Sequence, residues 1–481
     1  MMSLACIWAN VCRLATAARA AAIALIAASL IGGCGVVVRG VQDSYNGLAN
    51  SDWFWHGRHG DLTEEQRQWL ATAWRYVANN THPTTGLVGA IDGYPVFTMA
   101  NVAEYLAALH TAKQFELVGA KEFDERLSLL LDFLNTMALV DGVLPNRSYH
   151  TESGQMVDAA AQPGIVGWSA IDLGRLLIWL NLYRRHYPSF AEYIDKVVLR
   201  WDFCRLLDGR GQLTRGEFRD GGWLPVQEGR LGYEEYAAYG YYLWGQMPTL
   251  ADRFEPYERR QFYQVPLLVD GRDPRVDRVI DPLLPTPYWY AGMEFNWDRW
   301  DQLDDDDDTD YGRLDLARQA HSLYLVQERR WRRDALYTAR AEHILSEAPH
   351  FVYDAVFGLG SPFPTLDAQG QFHNEAALVS TKAAFMMWVL WDTEYTDALM
   401  GVMRHLYDPE RGWYEGRKER TAGYDQSLTL ATNAAVLQSM LYKQQGKLFR
   451  APPPMSRLQR VLGDEFIHPG RCQPVLEFSS R

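Results

Sequence analysis

From about residue 63 onward the apolar residues recur at helical spacing far more often than they alternate, and the interruptions carry Gly, Pro, Asn and Asp. The pattern predicts a mostly α-helical chain. One set of segments, rich in Ala, Gly and aromatics, covers roughly 97–112, 168–184, 231–246, 315–330, 375–391 and 426–443. Between them lie segments with a strongly charged face, near 63–80, 121–138, 189–206, 251–261, 331–348 and 393–407, as expected of helices that bury one side only. Six weakly polar helices alternating with six amphipathic ones predict an all-α (α/α)6 toroid, in which an outer ring buries an inner one. A superhelical solenoid of helix pairs is the competing arrangement, disfavoured because no fixed period repeats. The one sheet-like element expected is a short hairpin within 208–226.

In a toroid the loops leading into the inner helices gather at one end and form the cleft. Here they are GLVGAIDGYPVFTM, QPGIVGWSAID, QEGRLGYEE, PYWYAGMEFNWDRW, FHNEAALVSTKAAF and GYDQSLTLATN, all dense in Gly, aromatics and carboxylates. The opposite connections, such as RRHYPSF and LSEAPHF, read as plain surface turns.

Composition adds a compartment and a ligand class. Residues 1–33 contain no acid, two arginines (Arg13, Arg19) and the apolar run AAAIALIAASLIGG before Cys34, the signature of a secretion signal rather than a bilayer span. IGGC, Ile31 to Cys34, resembles the bacterial lipobox, and Gly35 in place of an aspartate favours the outer membrane. The expected organisation is a signal peptide over 1–33, a lipidated tether over 34–50, the toroid over 51–446 and a Pro-rich tail over 447–481. Removing the signal moves the net charge from −13 to −15, which repels nucleic acid and leaves the lipid as the membrane contact. Of the five cysteines only Cys204 and Cys472 then remain unassigned; a disulfide between them is open. Seventeen Trp and 26 Tyr provide flat apolar faces of the kind that stack on sugar rings.

Candidate chemistry rests on carboxylates near those aromatics. Glu234 and Glu235 open the third inner helix, where consecutive residues point about 100° apart, so one can face the cleft while the other caps the helix and complements its dipole. Glu294 and Asp298 lie in GMEFNWDRW among Tyr288, Trp289, Tyr290, Phe295, Trp297 and Trp300. Asp172 follows Trp168 by four residues on one helical face, with Arg175 three further on; pairing of Asp172 with Arg175 competes with a catalytic role. Asp92 and Tyr94 sit in a turn-like loop opening on the cleft. Glycoside hydrolysis needs two carboxyl groups flanking the scissile bond, and the expected set is Glu235 as general acid with Glu294 or Asp172 as base or nucleophile. Glu234, Glu228, Arg230, Tyr233, Trp168, Trp297, Asp92 and Tyr94 are the expected substrate contacts. The run DDDDDTD, residues 304–310, lacks the spacing of an EF-hand and reads as a solvated loop. No phosphate loop, HExxH, GxSxG or CxxC motif occurs, and neither a cofactor nor a metal is expected.

The strings TGLVGAIDGYP, LPNRSY, QPGIVGWSAIDLGRLLIWL, VVLRWDFCR, QEGRLGYEEYAA, GMEFNWD, HFVYDAVF, LVSTKAAF, YDPERGWYEGR and LTLATNAAVLQSMLYK together resemble a bacterial family, domain of unknown function 3131, over about Trp69 to Lys443. That family is remotely similar to (α/α)6 glycoside hydrolases acting on β-1,2-glucans, including the glycoamylase-like domain of cyclic glucan synthases. Gly232-Tyr233-Glu234-Glu235 is similar to their GYNE motif, which implies that Glu235 is the acid. Where the first inner helix would carry an aromatic-acidic pair, this chain has Ala100 and Asn101. The resemblance implies an enzyme acting on an envelope or secreted polysaccharide, or else a non-catalytic carbohydrate-binding scaffold of a polysaccharide synthesis or export assembly.

Overall fold

Helices form where the pattern predicts a buried face, and most begin at a side chain that holds the first turn. The computed structural model describes residues 57–449 apart from 230, 274–275, 277–279, 281 and 301–311. The signal peptide, Cys34, Arg230, the acidic run and residues 450–481 of the tail lie outside the described residues. The helices are α1 (Glu64–Asn80), α2 (Met99–Gln114), α3 (Ala120–Thr136), α4 (Ala170–His186), α5 (Ala191–Leu199), the single turn α6 (Phe203–Leu206), α7 (Tyr233–Leu243), α8 (Thr286–Phe295), α9 (Leu314–Asp334), α10 (Thr381–Leu390), α11 (Glu394–Met403) and α12 (Leu430–Gln445). Thr63, Thr98, Ser169, Ser380, Thr393 and Thr429 each accept a backbone N–H from three residues ahead, satisfying a donor the helix cannot.

Six of these helices are buried nearly all round, and each packs on the next: α2 on α4, α4 on α7, α7 on α8, α8 on α10, α10 on α12 and α12 back on α2. The amphipathic helices lie outside them, α1 against α12, α3 and α5 against one another, α5 against α4, α9 against α8 and α11 against α10. Two expected elements change place. The segment 315–330, expected in the inner ring, belongs to the outer helix α9, whose polar face reaches water; its inner neighbour is α8, drawn from TPYWYAGMEF, which was expected as a loop. The expected outer helices 251–261 and 331–348 do not form. A hairpin, Tyr257–Phe262 with Val265–Asp270, packs on α9 instead. After Asp334 the chain turns through left-handed Ala335 (φ 55°) and enters the strand Glu342–Ile344.

The all-α expectation also needs correction. Short antiparallel strands decorate one end of the ring: Glu342–Ile344 with Phe351–Asp354 and Thr365–Leu366, and Leu378–Ser380 with Gly412–Lys418 and Tyr424–Leu428. The hairpin expected in 208–226 is present as Thr214–Arg219 paired with Gly222–Gln227.

The tightest crossing, α4 on α7, depends on bare backbone. A Cβ at Gly240 would run into the carbonyl oxygen of Gly174, and one at Gly174 would come within 2.6 Å of the Ala237 Cβ. Gly240→Ala is therefore expected to lower the unfolding free energy by about 1–3 kcal/mol through overpacking. Gly401→Ala, on the exposed side of α11 with open space around it, is expected to raise it by about 0.5–1 kcal/mol. Urea titration of both variants checks the contrast.

Candidate active site

The inner helices turn polar side chains toward one another, and these fall into layers along the ring. On α4, Asp172, Arg175 and Trp179 share a face by helical spacing. Arg175 lies over the Tyr290 ring at 4.0 Å and Trp179 reaches Glu294, so this face looks inward. In the deepest layer Glu294 is wholly buried and accepts three bonds, from Trp179 Nε1 (3.1 Å), Gln438 Nε2 (2.8 Å) and the Tyr236 hydroxyl (2.6 Å). Burial raises its carboxyl above the ordinary range, against the opposing pull of Arg175 and those bonds.

One layer outward, Arg175 pairs with Glu104 at 3.0 Å, and Asn101 donates to the other Glu104 oxygen at 2.7 Å. Lys382 pairs with Glu342 at 2.7 Å, while the hydroxyls of Thr286 (3.0 Å) and Tyr233 also donate to Glu342. Tyr290, under Arg175, also feels the charge of Glu104, Lys382 and Glu342. Because Glu104, Arg175, Tyr290 and Lys382 all belong to the first two turns of their helices, the N-terminal ends of α2, α4, α8 and α10 meet at one end of the ring. The strand residues complete that end. Glu415 accepts from the Thr429 and Thr432 hydroxyls (2.6 Å for Thr432) and faces His343 Nδ1 at 3.0 Å.

The two outer carboxylates differ in charge tendency. Burial raises both. At Glu104 burial prevails over Arg175 and Asn101, and its carboxyl sits above the usual range. At Glu342 the Lys382 ammonium and the hydroxyl and backbone donors prevail, and the carboxyl is pulled down to about 2. Glu342 keeps 21% of its side-chain surface, against 6% for Glu104.

The residues expected from sequence scatter around this axis. Asp172 is half-buried, one helical turn outward of Arg175 on the axis-facing side of α4. Tyr233 reaches the axis through Glu342. Glu234 and Glu235 do not, because Tyr233 and Tyr236 occupy the axis-facing positions of α7. Glu235 is fully buried and accepts the Gly232 N–H at 2.6 Å, a cap on its own helix; burial pushes its carboxyl up to about 8. Glu234 accepts the Leu213 N–H at 3.4 Å and bonds Glu255, with burial and then Glu235 and Glu255 raising it. Glu228 also caps a helix, accepting the Ile171 N–H (3.2 Å) and facing Arg147 (3.5 Å). Trp168 is 1% exposed and packs under the 214–227 hairpin. Trp297 lies at the far end of α8, buried, with Nε1–H donated to the Tyr288 carbonyl at 2.8 Å, and neighbouring Asp298 pairs with Lys447 at 3.0 Å. Both are remote from the N-terminal helix ends. Asp92 pairs with Arg411 and accepts from Asn80 at 2.9 Å; the Tyr94 hydroxyl donates to the Ala159 carbonyl at 2.8 Å. Glu104, Glu342, Lys382 and Glu415 were not singled out from sequence, although Lys382 is the one charge in α10 and Glu104 the one acid in α2.

Known structures place this architecture. A glucoamylase candidate from Bacteroides caccae superposes with a TM-score of 0.59 at 13% identity, covering 80% of this chain and 94% of its own. An endo-β-1,2-glucanase from Chitinophaga pinensis, seen with sophorotriose and glucose, gives 0.57 at 13% identity over 81% and 94%. A β-1,2-glucanase from Parabacteroides distasonis gives 0.55 at 11% identity over 81% and 58%. At such identities the likeness is one of fold. Comparison with curated protein sequences finds no match. The family profile described as protein of unknown function (DUF3131) matches residues 68–446, and the chain belongs to that family.

Proposed function

We propose that the closed ring is an (α/α)6 toroid carrying a glycoside hydrolase site, and that the protein is a lipoprotein, held through Cys34 in the outer membrane, that cleaves an envelope or secreted polysaccharide. A β-1,2-linked glucan is the best-supported substrate class, given the glucanases that share the fold. One observation carries the reading: at the mouth of the ring Lys382 and hydroxyl donors hold Glu342 as a carboxylate, and Asp172 is a half-buried carboxyl one helical turn outward of Arg175. Hydrolysis of a glycosidic bond needs one carboxyl to protonate the leaving oxygen and another, ionised, to activate water or attack carbon. In this reading Glu342 is the base or nucleophile and Asp172 the proton donor. Arg175 and Lys382 fix the surrounding charge, Glu235 caps α7, and Glu294 anchors the floor. The scaffold reading has one observation in its favour, that both Glu342 oxygens already have protein partners.

The site is tested with the mature chain made soluble by Cys34→Ser and offered β-1,2-, β-1,3- and β-1,4-glucans, with new reducing ends counted. Asp172→Asn and Glu342→Gln are each expected to lower the rate by about 10²–10⁴, and Glu235→Gln to change it by no more than a few fold. Binding without cleavage by the unsubstituted protein supports the scaffold instead. Loss of rate in Glu235→Gln with Asp172→Asn still active would return the acid to α7.

The charge state of Glu342 sets a pH dependence. Its folded value lies below the ordinary value of about 4.3, so the stability it contributes is complete above that value and is lost as pH falls toward about 2. Lys382→Met leaves the carboxylate without its cation. That variant is expected to lose about 3–5 kcal/mol of stability at neutral pH, and the acid side of its rate profile is expected to move to higher pH. An unmoved profile would remove Glu342 from the reaction.

Cys204 is disulfide-bonded, which supports an oxidising compartment. Non-reducing peptide mapping of the mature protein is expected to recover Cys204 linked to Cys472; a link to Cys34 would contradict lipidation there.

A further inference from the structure

The 214–227 hairpin has an aromatic face that is covered at its inner end and exposed at its outer end, at Phe218. Pairing of Phe218 with Trp223 and of Gly216 with Pro225 puts these four on one face, since alternate strand residues share a side. Two glycines let that face press down on Trp168. A Cβ at Gly216 would strike the Trp168 indole, and one at Gly167 would strike the Gly216 carbonyl and the Trp223 ring. The rings then follow in a row, Trp168 to Trp223 at 6.0 Å and Trp223 to Phe218 at 5.3 Å. Exposure grows along it: Trp168 is buried, Trp223 half-buried and Phe218 62% exposed.

The inner end of the row is tied to the ring mouth. The Gly216 N–H donates to the Trp168 carbonyl at 3.0 Å, and Arg215 bridges to Ser169, the residue that caps α4 and accepts the Asp172 N–H. On the opposite face of the hairpin Arg215 and Arg219 both pair with Glu217. Flat rings of increasing exposure suit a ligand with apolar C–H faces and hydroxyl edges. The chain's net charge of −13 opposes an anionic lipid surface as the occupant.

We propose that this hairpin is a stacking platform that extends the cleft, and that the substrate is a neutral glycan chain long enough to run from the ring mouth to Phe218. The proposal rests on the glycan site assigned above and adds a length requirement to it.

The test is calorimetric binding of β-1,2-, β-1,3- and β-1,4-glucan oligosaccharides of increasing length to the Cys34→Ser mature chain carrying Asp172→Asn, which prevents turnover. Affinity for at least one glucan is expected to rise with chain length. The Phe218→Ala, Trp223→Ala double substitution is expected to weaken the longest ligand by about tenfold or more, while Trp223→Tyr, which keeps a ring, retains most of the affinity. Unchanged melting of the double variant shows that the fold is intact. Length-independent affinity, binding of none of the glucans, or an unaffected double variant would overturn the platform. So would a double variant that loses only its association with phosphatidylcholine–phosphatidylglycerol vesicles, which would make a membrane the occupant. A protein that shows the length effect and cuts no glycan fails as a hydrolase and keeps the platform, so the two readings fail separately.

Discussion

Charge placed on the axis of a closed helical ring has to be neutralised from within, and here Lys382 with Glu342 and Arg175 with Glu104 do so. An apolar filling of similar volume would serve folding as well or better, because the desolvation of buried ion pairs cancels most of their attraction. Once the charges are present, each partner becomes indispensable to the other. Much of the architecture around the axis follows from this. Tyr290 lies under Arg175, Asn101 and Thr286 satisfy the remaining carboxylate oxygens, and α8 leaves the apolar pattern of its neighbours only at Glu294, where three donors meet it.

The same demand explains the strands. Glu342, His343 and Glu415 are supplied to the N-terminal ends of α10 and α12 by segments outside the helices, and extended chain can deliver alternate side chains to such a spot over a few residues. The price of that departure is small, since the strands are short and lie at the rim. The result is a ring with two dissimilar ends: far from the mouth, Trp297 and the Asp298–Lys447 pair are sealed in, while at the mouth Asp172, Tyr233 and Glu342 keep contact with solvent.

Much of the ring was legible in the sequence. Five inner helices fall where the Ala-, Gly- and aromatic-rich segments put them, marked by composition and by their alternation with amphipathic helices rather than by a strong period of their own. The sixth was misplaced: Pro282, Pro285 and Pro287 make the start of TPYWYAGMEF read as a loop, whereas the amphipathic α9 that follows it reads as a helix. The first strand of the 257–270 hairpin was read as the end of an outer helix, 251–261, because charges cluster there. Glu234 and Glu235 draw attention as a pair, yet neighbours on a helix point apart, and both turn off the axis while Tyr233 and Tyr236 turn onto it. The axial charges are far apart in the chain and meet only through ring closure; the usable signal was a solitary charge in an apolar helix, as at Lys382 in TKAAFMMWVL and Glu104 in MANVAEYLAALH.

In the proposed function, the mouth, the polar layers beneath it and the aromatic hairpin beside it form one path for a glycan, with the scissile bond at the end of α4 and the rest of the chain lying outward. The most direct measurement is a crystal structure of the Asp172→Asn protein with a bound β-glucan oligosaccharide. The account predicts a glycosidic oxygen within hydrogen-bond reach of residue 172, with Glu342 on the other side of the same sugar and the two carboxyl positions about 5–9.5 Å apart. A sugar bound elsewhere on the ring, or one at the mouth with neither residue beside the linkage, would contradict it.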